Sequence, residues 1–405
     1  MRIDSVSIKR NSLKNTVNFD ICNISEYCGG CSYQGVAYED QLKNKEGEVK
    51  GFLKASGIDP SLLLEIKGTN HRYNYRNKME YTFGNEVKDG PTVLGLHKKK
   101  SYISIIDTSQ CQLVHPDFNM VLKATSDFVH EKGYSHYHKK FHTGLMRGLI
   151  LRRGIRTNEL LVNIITSSEI PFDEEGYVKL ILDLPLENTA VGILHTINDN
   201  ISDAVNCESL ITLYGRSYYE EVIMGLKFKV GAFSFFQTNV EAAERLYTDA
   251  LSLIDGLEGK IVYDLYCGTG TITQAMALKA KKAIGVEIVE EAIETAKQSA
   301  KINGLENCAF IADDVGNALA NIEEKPDVIV VDPPRAGIMP KALAQILSYG
   351  VNQIVYISCN PKTLAENLRA AKLLGYEAKQ ITAYDNFPFT KHIESIALLS
   401  KVPQV

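Results

Sequence analysis

One cysteine of the chain lies in a setting that is typical of a reactive thiol. Cys359 follows the apolar run QIVYIS and precedes Asn360 and Pro361. Asn is favoured as a helix cap and Pro at the first helical position, so we predict a strand over 353–359 that ends directly before a helix. The positive end of a helix dipole favours a thiolate. A small buried core residue is the alternative, but the polar neighbours favour a nucleophile.

A carboxylate follows a second apolar run, in the sequence Asp332-Pro333-Pro334-Arg335. Ligands of an open parallel sheet bind beyond the carboxyl ends of its strands. We therefore expect Asp332 and Cys359 at one edge of a sheet, where an α/β enzyme has its chemistry.

A glycine-rich turn follows a third apolar run, which ends in Asp264 and leads to Gly268 and Gly270. Two glycines let the backbone turn tightly and approach a ligand closely. The next predicted strand ends in Glu287, placed to accept hydrogen bonds from ribose hydroxyls. A dinucleotide-binding turn has Gly or Ala where Thr273 stands. The turn therefore favours a nucleoside ligand without a pyrophosphate, such as S-adenosylmethionine.

Four cysteines have the spacing of a metal site: Cys22, Cys28, Cys31 and the distant Cys111. A C-x2-C core in a chain without secretory features is a strong metal signal. Zinc and an iron–sulfur cluster cannot be separated on spacing alone. We expect Cys207, Cys267 and Cys308 to be packing residues.

The elements that must position these residues differ between the two halves of the chain. From residue 231 onward, strand-length apolar runs alternate with helical stretches, which predicts a doubly wound α/β domain over 231–405. The predicted strands are 261–267, 283–287, 308–314, 327–334, 353–359 and 392–401, with helices over 271–282, 289–304 and 360–375. Residues 1–230 are less regular and predict an α+β region with hairpins at 75–105 and 145–166.

Charge is distributed unevenly along the chain. The net charge is −5, but residues 70–156 hold 15 Lys plus Arg against 7 Asp plus Glu, and residues 231–405 hold 16 against 21. A basic half beside an acidic catalytic half suits an enzyme that holds a polyanion; a solvated basic surface explains the charge equally well.

The chain has neither the apolar run of a membrane span nor a secretory signal, so we expect a cytoplasmic protein.

Several motifs together resemble the RNA 5-methyluridine methyltransferase family: YDLYCGTGT, VDPPRAG, ISCNPKTLAENL and DNFPFTKHIES, preceded by FFQTN at 235–239. The resemblance implies a Rossmann-like methyltransferase domain that uses S-adenosylmethionine. It implies Cys359 as the nucleophile that adds to carbon-6 of a flipped uracil, and Glu394 as the base that removes the proton of carbon-5. Phe235 and Phe236 are candidates to stack on the flipped base, and core packing is the alternative for each. The positions that match or adjoin the cofactor site are Gln237, Tyr266, Thr271, Glu287, Asp314 and Asp332; the family often has Asn in place of Thr271 and His in place of Phe389.

The cysteine spacing C-x5-C-G-G-C, followed by Gln34, resembles the iron–sulfur branch of that family. This resemblance implies a 4Fe–4S cluster on Cys22, Cys28, Cys31 and Cys111. Many relatives begin with a small RNA-binding barrel, the TRAM domain, and we expect it to be missing because only 21 residues precede Cys22. RNA is then expected to bind the basic region through phosphate contacts and aromatic stacking. The predicted contacts are Arg72, Arg76, Lys78, Lys98, Lys99, Lys100, Arg147, Arg152 and Arg153, with Tyr73, Tyr75, Tyr81 and Tyr102.

The substrate implied first is 23S ribosomal RNA, because the iron–sulfur branch acts mainly on it. The thymine-loop uridine of transfer RNA is the rival. A non-catalytic iron–sulfur RNA-binding protein and a small-molecule methyltransferase are rivals of other classes. The intact Cys359, Asp332 and Glu394 argue against the first, and the basic region argues against the second. The sequence implies neither a membrane nor an obligatory protein partner.

Overall fold

The computed structural model describes residues 21–200 and 209–403. Cys207 lies outside the described residues. The helices are α1 Tyr38–Ala55, α2 Pro116–Glu131, α3 Glu174–Leu182, α4 Val240–Ser252, α5 Thr271–Ala277, α6 Glu290–Ile302, α7 Val315–Asn321, α8 Pro340–Ser348 and α9 Pro361–Leu373. The strands are β1 Leu63–Lys67, β2 Lys78–Gly84, β3 Val93–His97, β4 Ile105–Asp107, β5 Met146–Gly154, β6 Glu159–Thr166, β7 Thr189–Ile197, β8 Ser209–Gly215, β9 Tyr218–Ile223, β10 Leu226–Gly231, β11 Ile261–Leu265, β12 Lys282–Glu287, β13 Cys308–Ala312, β14 Val328–Val331, β15 Gln353–Ser358, β16 Tyr376–Tyr384 and β17 Glu394–Lys401.

An eight-stranded sheet forms the C-terminal half, in the order β1-β16-β17-β15-β14-β11-β12-β13. Neighbours from β15 to β13 are parallel, whereas β17 is antiparallel to both β15 and β16. The chain runs outward from β11 to β13 and then returns to β14 and β15 on the other side. The strand order therefore reverses between β11 and β14, the place where α/β sheets bind ligands. This arrangement confirms the predicted Rossmann-like α/β fold.

A seven-stranded mixed sheet forms most of the N-terminal half, in the order β4-β3-β2-β5-β6-β7-β8. The predicted hairpins are present, because β2 pairs antiparallel with β3 and β5 pairs antiparallel with β6. Helices α2 and α3 pack beside this sheet, and their buried faces share one core with its strands. The short hairpin β9–β10 leads into the C-terminal half.

The division expected at residue 230 does not follow the sheets. Strand β1 pairs in parallel with β16, at the edge of the C-terminal sheet. Helix α1 packs against α9, and its Val49 and Leu53 belong to the core on that face of the sheet. Residues 38–67 thus complete the C-terminal core. The sequence pattern did not predict this, because an edge strand supplied from the far end of the chain has no local signal.

The predicted caps explain how α9 starts. The Asn360 side chain accepts a hydrogen bond from the Lys362 N–H at 3.2 Å, and Pro361 is the first helical residue.

None of the helices within the described part of the chain is long and apolar enough to cross a membrane.

Candidate active site

Three neighbouring strands bring the predicted catalytic groups to one edge of the sheet. Asp332 directly follows β14, and Cys359 directly follows β15. Glu394 is the first residue of β17, which runs antiparallel to β15 with Ser358 opposite Ser395. The start of β17 therefore lies at the same edge as the ends of β14 and β15. Residues that are 62 positions apart in the chain meet there for this topological reason.

The two carboxyl groups of this edge hold protons unusually tightly. Burial raises the pKa of Glu394 to about 8, and the nearby Asp332 contributes to the rise, while the Arg335 guanidinium opposes it. Burial also raises the pKa of Asp332 to about 7. Both side chains keep part of their surface accessible, but the protein atoms around them leave little water to stabilise a charge.

The thiol of Cys359 does not gain the thiolate character expected from the helix that follows it. Burial raises its pKa, and Glu394 and Asp332 raise it further because like charges would meet. The nearby Arg335 guanidinium opposes these effects and lowers the pKa of Cys359. The Arg335 guanidinium also lies 3.1 Å from the His392 ring, whose pKa burial and Arg335 lower to about 4. Arg335 is thus the group that can favour a Cys359 thiolate.

The glycine-rich turn after β11 is open on its ligand side. Tyr266, Gly268 and Gly270 all have positive φ, of 68°, 52° and 77°. A Cβ added to Gly268 would meet nothing within 4 Å, so free space faces the turn. The Gly268 N–H donates to Glu287 at 3.2 Å, which fixes the carboxylate at the end of β12 beside that space. The turn and Glu287 form the cradle that a nucleoside ligand needs.

Thr273 has a role that the sequence did not reveal. Its hydroxyl donates to the fully buried Asp264 carboxylate at 2.6 Å. Burial raises the pKa of Asp264 to about 7, although this hydrogen bond opposes the rise. The Thr273 side chain therefore donates a hydrogen bond to a buried carboxyl of β11, and it also leaves less room for a ligand at the start of the helix than Gly or Ala would.

The other predicted cofactor residues lie around the same edge. Thr271 begins α5, and Asp314 caps α7 by accepting the Gly316 N–H at 2.9 Å. Gln237 donates to the Tyr247 hydroxyl at 2.8 Å. Asp332 and Glu394 both raise the pKa of the Tyr247 phenol, so Gln237 and Tyr247 adjoin the carboxyl groups.

The aromatic pair before Gln237 divides into one exposed and one buried ring. Phe235 is 72% exposed, whereas Phe236 is 7% exposed and packs against Phe228 with ring centroids 5.8 Å apart. Only Phe235 is free to stack on a base. Arg152 holds this segment by donating to the Ala232 carbonyl at 2.8 Å and to the Ser234 carbonyl.

Burial corrects part of the predicted RNA contact set. Arg152, Tyr75 and Tyr81 are at most 3% exposed and lie in the protein interior. By contrast, Lys99, Lys100 and Tyr102 are exposed, and Tyr102 is 94% accessible. The loop after β3 therefore keeps the features of a nucleic-acid contact.

Comparison with known proteins identifies the family. Residues 223–402 match the family model described as tRNA (Uracil-5-)-methyltransferase. An uncharacterized RNA methyltransferase of Caldanaerobacter subterraneus subsp. tengcongensis is 46% identical over 92% of this chain and 83% of its own length. A second uncharacterized RNA methyltransferase, of Clostridium tetani, is 43% identical over 94% of this chain and 83% of its own length. The chain belongs to the RNA uracil-5-methyltransferase family. It is an S-adenosylmethionine-dependent RNA methyltransferase.

A solved relative shares the architecture of this methyltransferase. The Pyrococcus abyssi tRNA (uracil-54, C5)-methyltransferase, solved in complex with S-adenosyl-L-homocysteine, superposes with a TM-score of 0.75. It is 27% identical, and the match covers 92% of this chain and 86% of that chain. Both halves of the methyltransferase described here are thus included in the likeness.

The four predicted cluster cysteines of the methyltransferase line one cavity. The cavity has a volume of about 380 Å³, and it is lined by Cys22, Cys28, Cys31 and Cys111. Basic side chains of β2 and of the residues directly before β2 also line it. Burial raises the pKa values of the Cys28, Cys31 and Cys111 thiols, and neighbouring thiols of the group raise them further. None of the four cysteines forms a disulfide. In the part of the chain that the structure describes, no three His, Cys, Asp or Glu side chains converge closely enough for a single metal ion. The four thiols therefore line one cavity without converging on a single point.

Sequence reasoning missed three groups near the active site. Arg335 belongs to the VDPPRAG motif, and its position three residues after Asp332 could have suggested that it lies near Cys359. Tyr247 lies on α4, and Lys45 lies on α1, where it donates to the Asp385 carboxylate and the His392 carbonyl. Neither helix carries a motif, so only the fold reveals these two residues. Cys267 and Cys308 are partly buried and form no disulfide.

The high pKa of Glu394 predicts a stability effect of Glu394→Gln that depends on pH. In the unfolded chain the carboxyl has an ordinary pKa near 4.5, and in the folded protein about 8. Between these values the folded state keeps a proton that the unfolded state has lost, so raising the pH lowers the free energy of unfolding. The whole difference corresponds to roughly 5 kcal/mol, and we expect about 2 kcal/mol because partial exposure screens the charge.

The measurement is urea unfolding of both proteins at pH 5 and pH 8. The variant should be more stable than the wild type at pH 8, and this advantage should shrink towards pH 5. Glu377→Gln, at an exposed position of β16, is the control and should show no such dependence. An equal difference at both pH values would contradict the assigned pKa.

Proposed function

We propose that this enzyme forms 5-methyluridine in RNA with Cys359 as nucleophile and Glu394 as general base. The observation that carries the proposal is the meeting of the Cys359 thiol with two partly buried carboxyls, Asp332 and Glu394, at one edge of the sheet. An enzyme that must add a thiolate to a ring and later remove a proton needs this pair of groups.

The reaction starts with the addition of the Cys359 sulfur to carbon-6 of the uracil. The electron pair of the carbon-5–carbon-6 bond moves into an enolate, which makes carbon-5 nucleophilic. S-adenosylmethionine, when bound, supplies the methyl group that carbon-5 takes. The Glu394 carboxylate then accepts the carbon-5 proton, the double bond re-forms, and the sulfur leaves as a thiolate.

The pKa values suit these roles. A general base works best when its pKa lies near the working pH, and that of Glu394 is about 8. Arg335 lies near the thiol and lowers the pKa of Cys359 against the effect of burial. We assign Arg335 the task of stabilising the Cys359 thiolate before the addition.

The cofactor contacts are proposed around the turn after β11. Glu287, held by the Gly268 N–H, would accept the ribose hydroxyls. The remaining proposed contacts are Gln237, Tyr266, Thr271, Asp314 and Asp332. The open space beside Gly268 supports this assignment.

A uracil in folded RNA must leave its stack to reach Cys359. We assign Phe235 the role of stacking on the flipped base or filling its place, since it is exposed beside the cofactor segment. The loop with Lys99, Lys100 and Tyr102 would contact the RNA backbone and unpaired bases.

We assign a 4Fe–4S cluster to Cys22, Cys28, Cys31 and Cys111. Hydrogen bonds to sulfur support it: the Gly30 N–H donates to Cys28 at 3.4 Å, and the Gln34 side chain donates to Cys31 at 3.9 Å. Such donors stabilise cluster thiolates. Methyl transfer moves no electrons, so a structural or RNA-positioning role suits the cluster.

The proposed substrate is 23S ribosomal RNA, in keeping with the resemblance of the cysteine spacing to the branch that acts on it. Transfer RNA is the second candidate, favoured by the likeness to the Pyrococcus abyssi enzyme, which acts on uracil-54 of tRNA.

A labelling experiment tests both the chemistry and the substrate. The purified protein is incubated with methyl-labelled S-adenosylmethionine and total RNA from a strain without its own 5-methyluridine enzymes. We expect 5-methyluridine in 23S RNA with the wild type and a loss of at least about 1,000-fold with Cys359→Ala, because the nucleophile is removed.

Label in transfer RNA would keep the mechanism and overturn the ribosomal substrate. Cys308 is the first residue of β13 and lies at the opposite end of that strand from the active-site edge. Cys308→Ala is therefore the matched control and should retain activity. No label in either RNA, from protein with bound cofactor, would contradict the proposed reaction and favour a non-catalytic RNA-binding protein.

Removing one cluster cysteine should remove the cluster. We expect Cys31→Ser, purified without oxygen, to lose most of the iron and sulfide that the wild type carries, because three thiolates remain. Iron and sulfide analyses and the visible absorption of the cluster measure this. Cys267→Ser is the control, and wild-type protein with zinc in place of iron would contradict the cluster assignment.

A further inference from the structure

Two side chains of α1 bind the loop that leads to Glu394. This loop, residues 385–393, joins β16 to β17. Lys45 donates to the Asp385 carboxylate at 2.6 Å and to the His392 carbonyl at 2.9 Å. The Gln41 side chain accepts the Phe389 N–H at 3.0 Å. Gln41 and Lys45 are one helical turn apart and fully buried.

These contacts reach the beginning, the middle and the end of the loop. Phe389, in the middle, has a φ of 65°, which is unfavourable for a bulky residue and persists only where the surroundings impose it. The N–H groups of Ser32 and Tyr33 donate to the Phe389 carbonyl at 2.8 and 2.9 Å. Residues from the first part of the chain therefore determine the shape of a loop near its end.

The ion pair of Lys45 and Asp385 is fully buried, with no accessible side-chain surface on either partner. Taking two charges out of water offsets most of their attraction, so such a pair gives little net stability. The pair does fix the relative positions of Lys45 and Asp385, because separating the two buried charges would cost much free energy. The pair fixes the first residue of the loop, directly after β16, and the bond of Lys45 to the His392 carbonyl fixes the other end, next to β17.

We propose that Lys45 and Gln41 are positioning residues that hold the Glu394 carboxyl in place for proton removal. The inference rests on the proposed function, because it gives Glu394 the role of base. Glu394 lies two residues after His392, whose carbonyl Lys45 binds. Cys359 is held separately, by β15 and α9.

The proposal predicts an effect on one step. A displaced Glu394 leaves the thiol addition and methylation possible but slows the removal of the carbon-5 proton. RNA should then remain bound to Cys359 through the methylated ring. A purely structural role of Lys45 would lower stability and slow all steps together.

The test uses the full-length, cluster-containing protein with Lys45→Met. Single-turnover reactions give the rate of 5-methyluridine release, and denaturing gels give the fraction of RNA linked to protein. We expect release to slow by about 10- to 100-fold while the linked fraction rises and the affinity for S-adenosylmethionine stays unchanged. Lys43→Met, an exposed lysine of the same helix, should behave as the wild type.

A second variant keeps the test decisive if Lys45→Met fails to fold. The double change Lys45→Met with Asp385→Asn removes the unpaired buried charge but also removes the bond that places the loop. It should fold and still accumulate linked RNA. Wild-type release and linkage in a folded Lys45 variant would overturn the proposal, as would an equal slowing of every step. Absence of product with the wild-type protein would instead contradict the proposed function itself.

Discussion

The crowding of two carboxyl groups against one thiol at a buried sheet edge is the constraint on which the site depends. Burial brings the pKa of Asp332 to about 7, and burial together with the nearby Asp332 brings that of Glu394 to about 8. Burial and both carboxyls also raise the pKa of Cys359. In the proposed mechanism, the same edge must therefore hold a base that takes up a proton and a thiol that loses one. Arg335 lowers the pKa values of both Cys359 and Glu394, so it favours the charged forms of the thiol and of the carboxyl group.

The first part of the chain is inseparable from this edge. Residues 38–67 add a helix and an edge strand to the C-terminal sheet, and residues 32–45 bind the loop before Glu394. The cysteine-lined cavity adjoins the same loop, since Cys31 and Cys111 pack against Phe389 and Tyr75. In the proposed mechanism, a cluster in this cavity would therefore support the segment that places Glu394 as well as any RNA bound nearby.

Much of the α/β half could be predicted from sequence, because each parallel strand there is a continuous apolar run that ends in polar residues. For the same reason Cys359 and Asp332 could be placed together, whereas Glu394 depended on a motif. The attachment of β1 and α1 could not be predicted, since it joins positions more than 300 residues apart. The raised pKa of Cys359 could not be predicted either. The sequence indicates the helix after Cys359, but the carboxyls that raise the pKa come from other strands. Arg152 and Tyr81 show the same limit, because a basic and aromatic stretch does not say which side chains point inward.

The most direct test of the account uses substrate RNA with 5-fluorouridine at the target position, incubated with S-adenosylmethionine. Fluorine at carbon-5 cannot be removed as a proton, so the reaction should stop with the methylated ring attached to the enzyme. Mass spectrometry of the digested complex should then find the adduct on the peptide that contains Cys359. A linked RNA on any other residue, or turnover without a linked species, would contradict the roles given to Cys359 and Glu394.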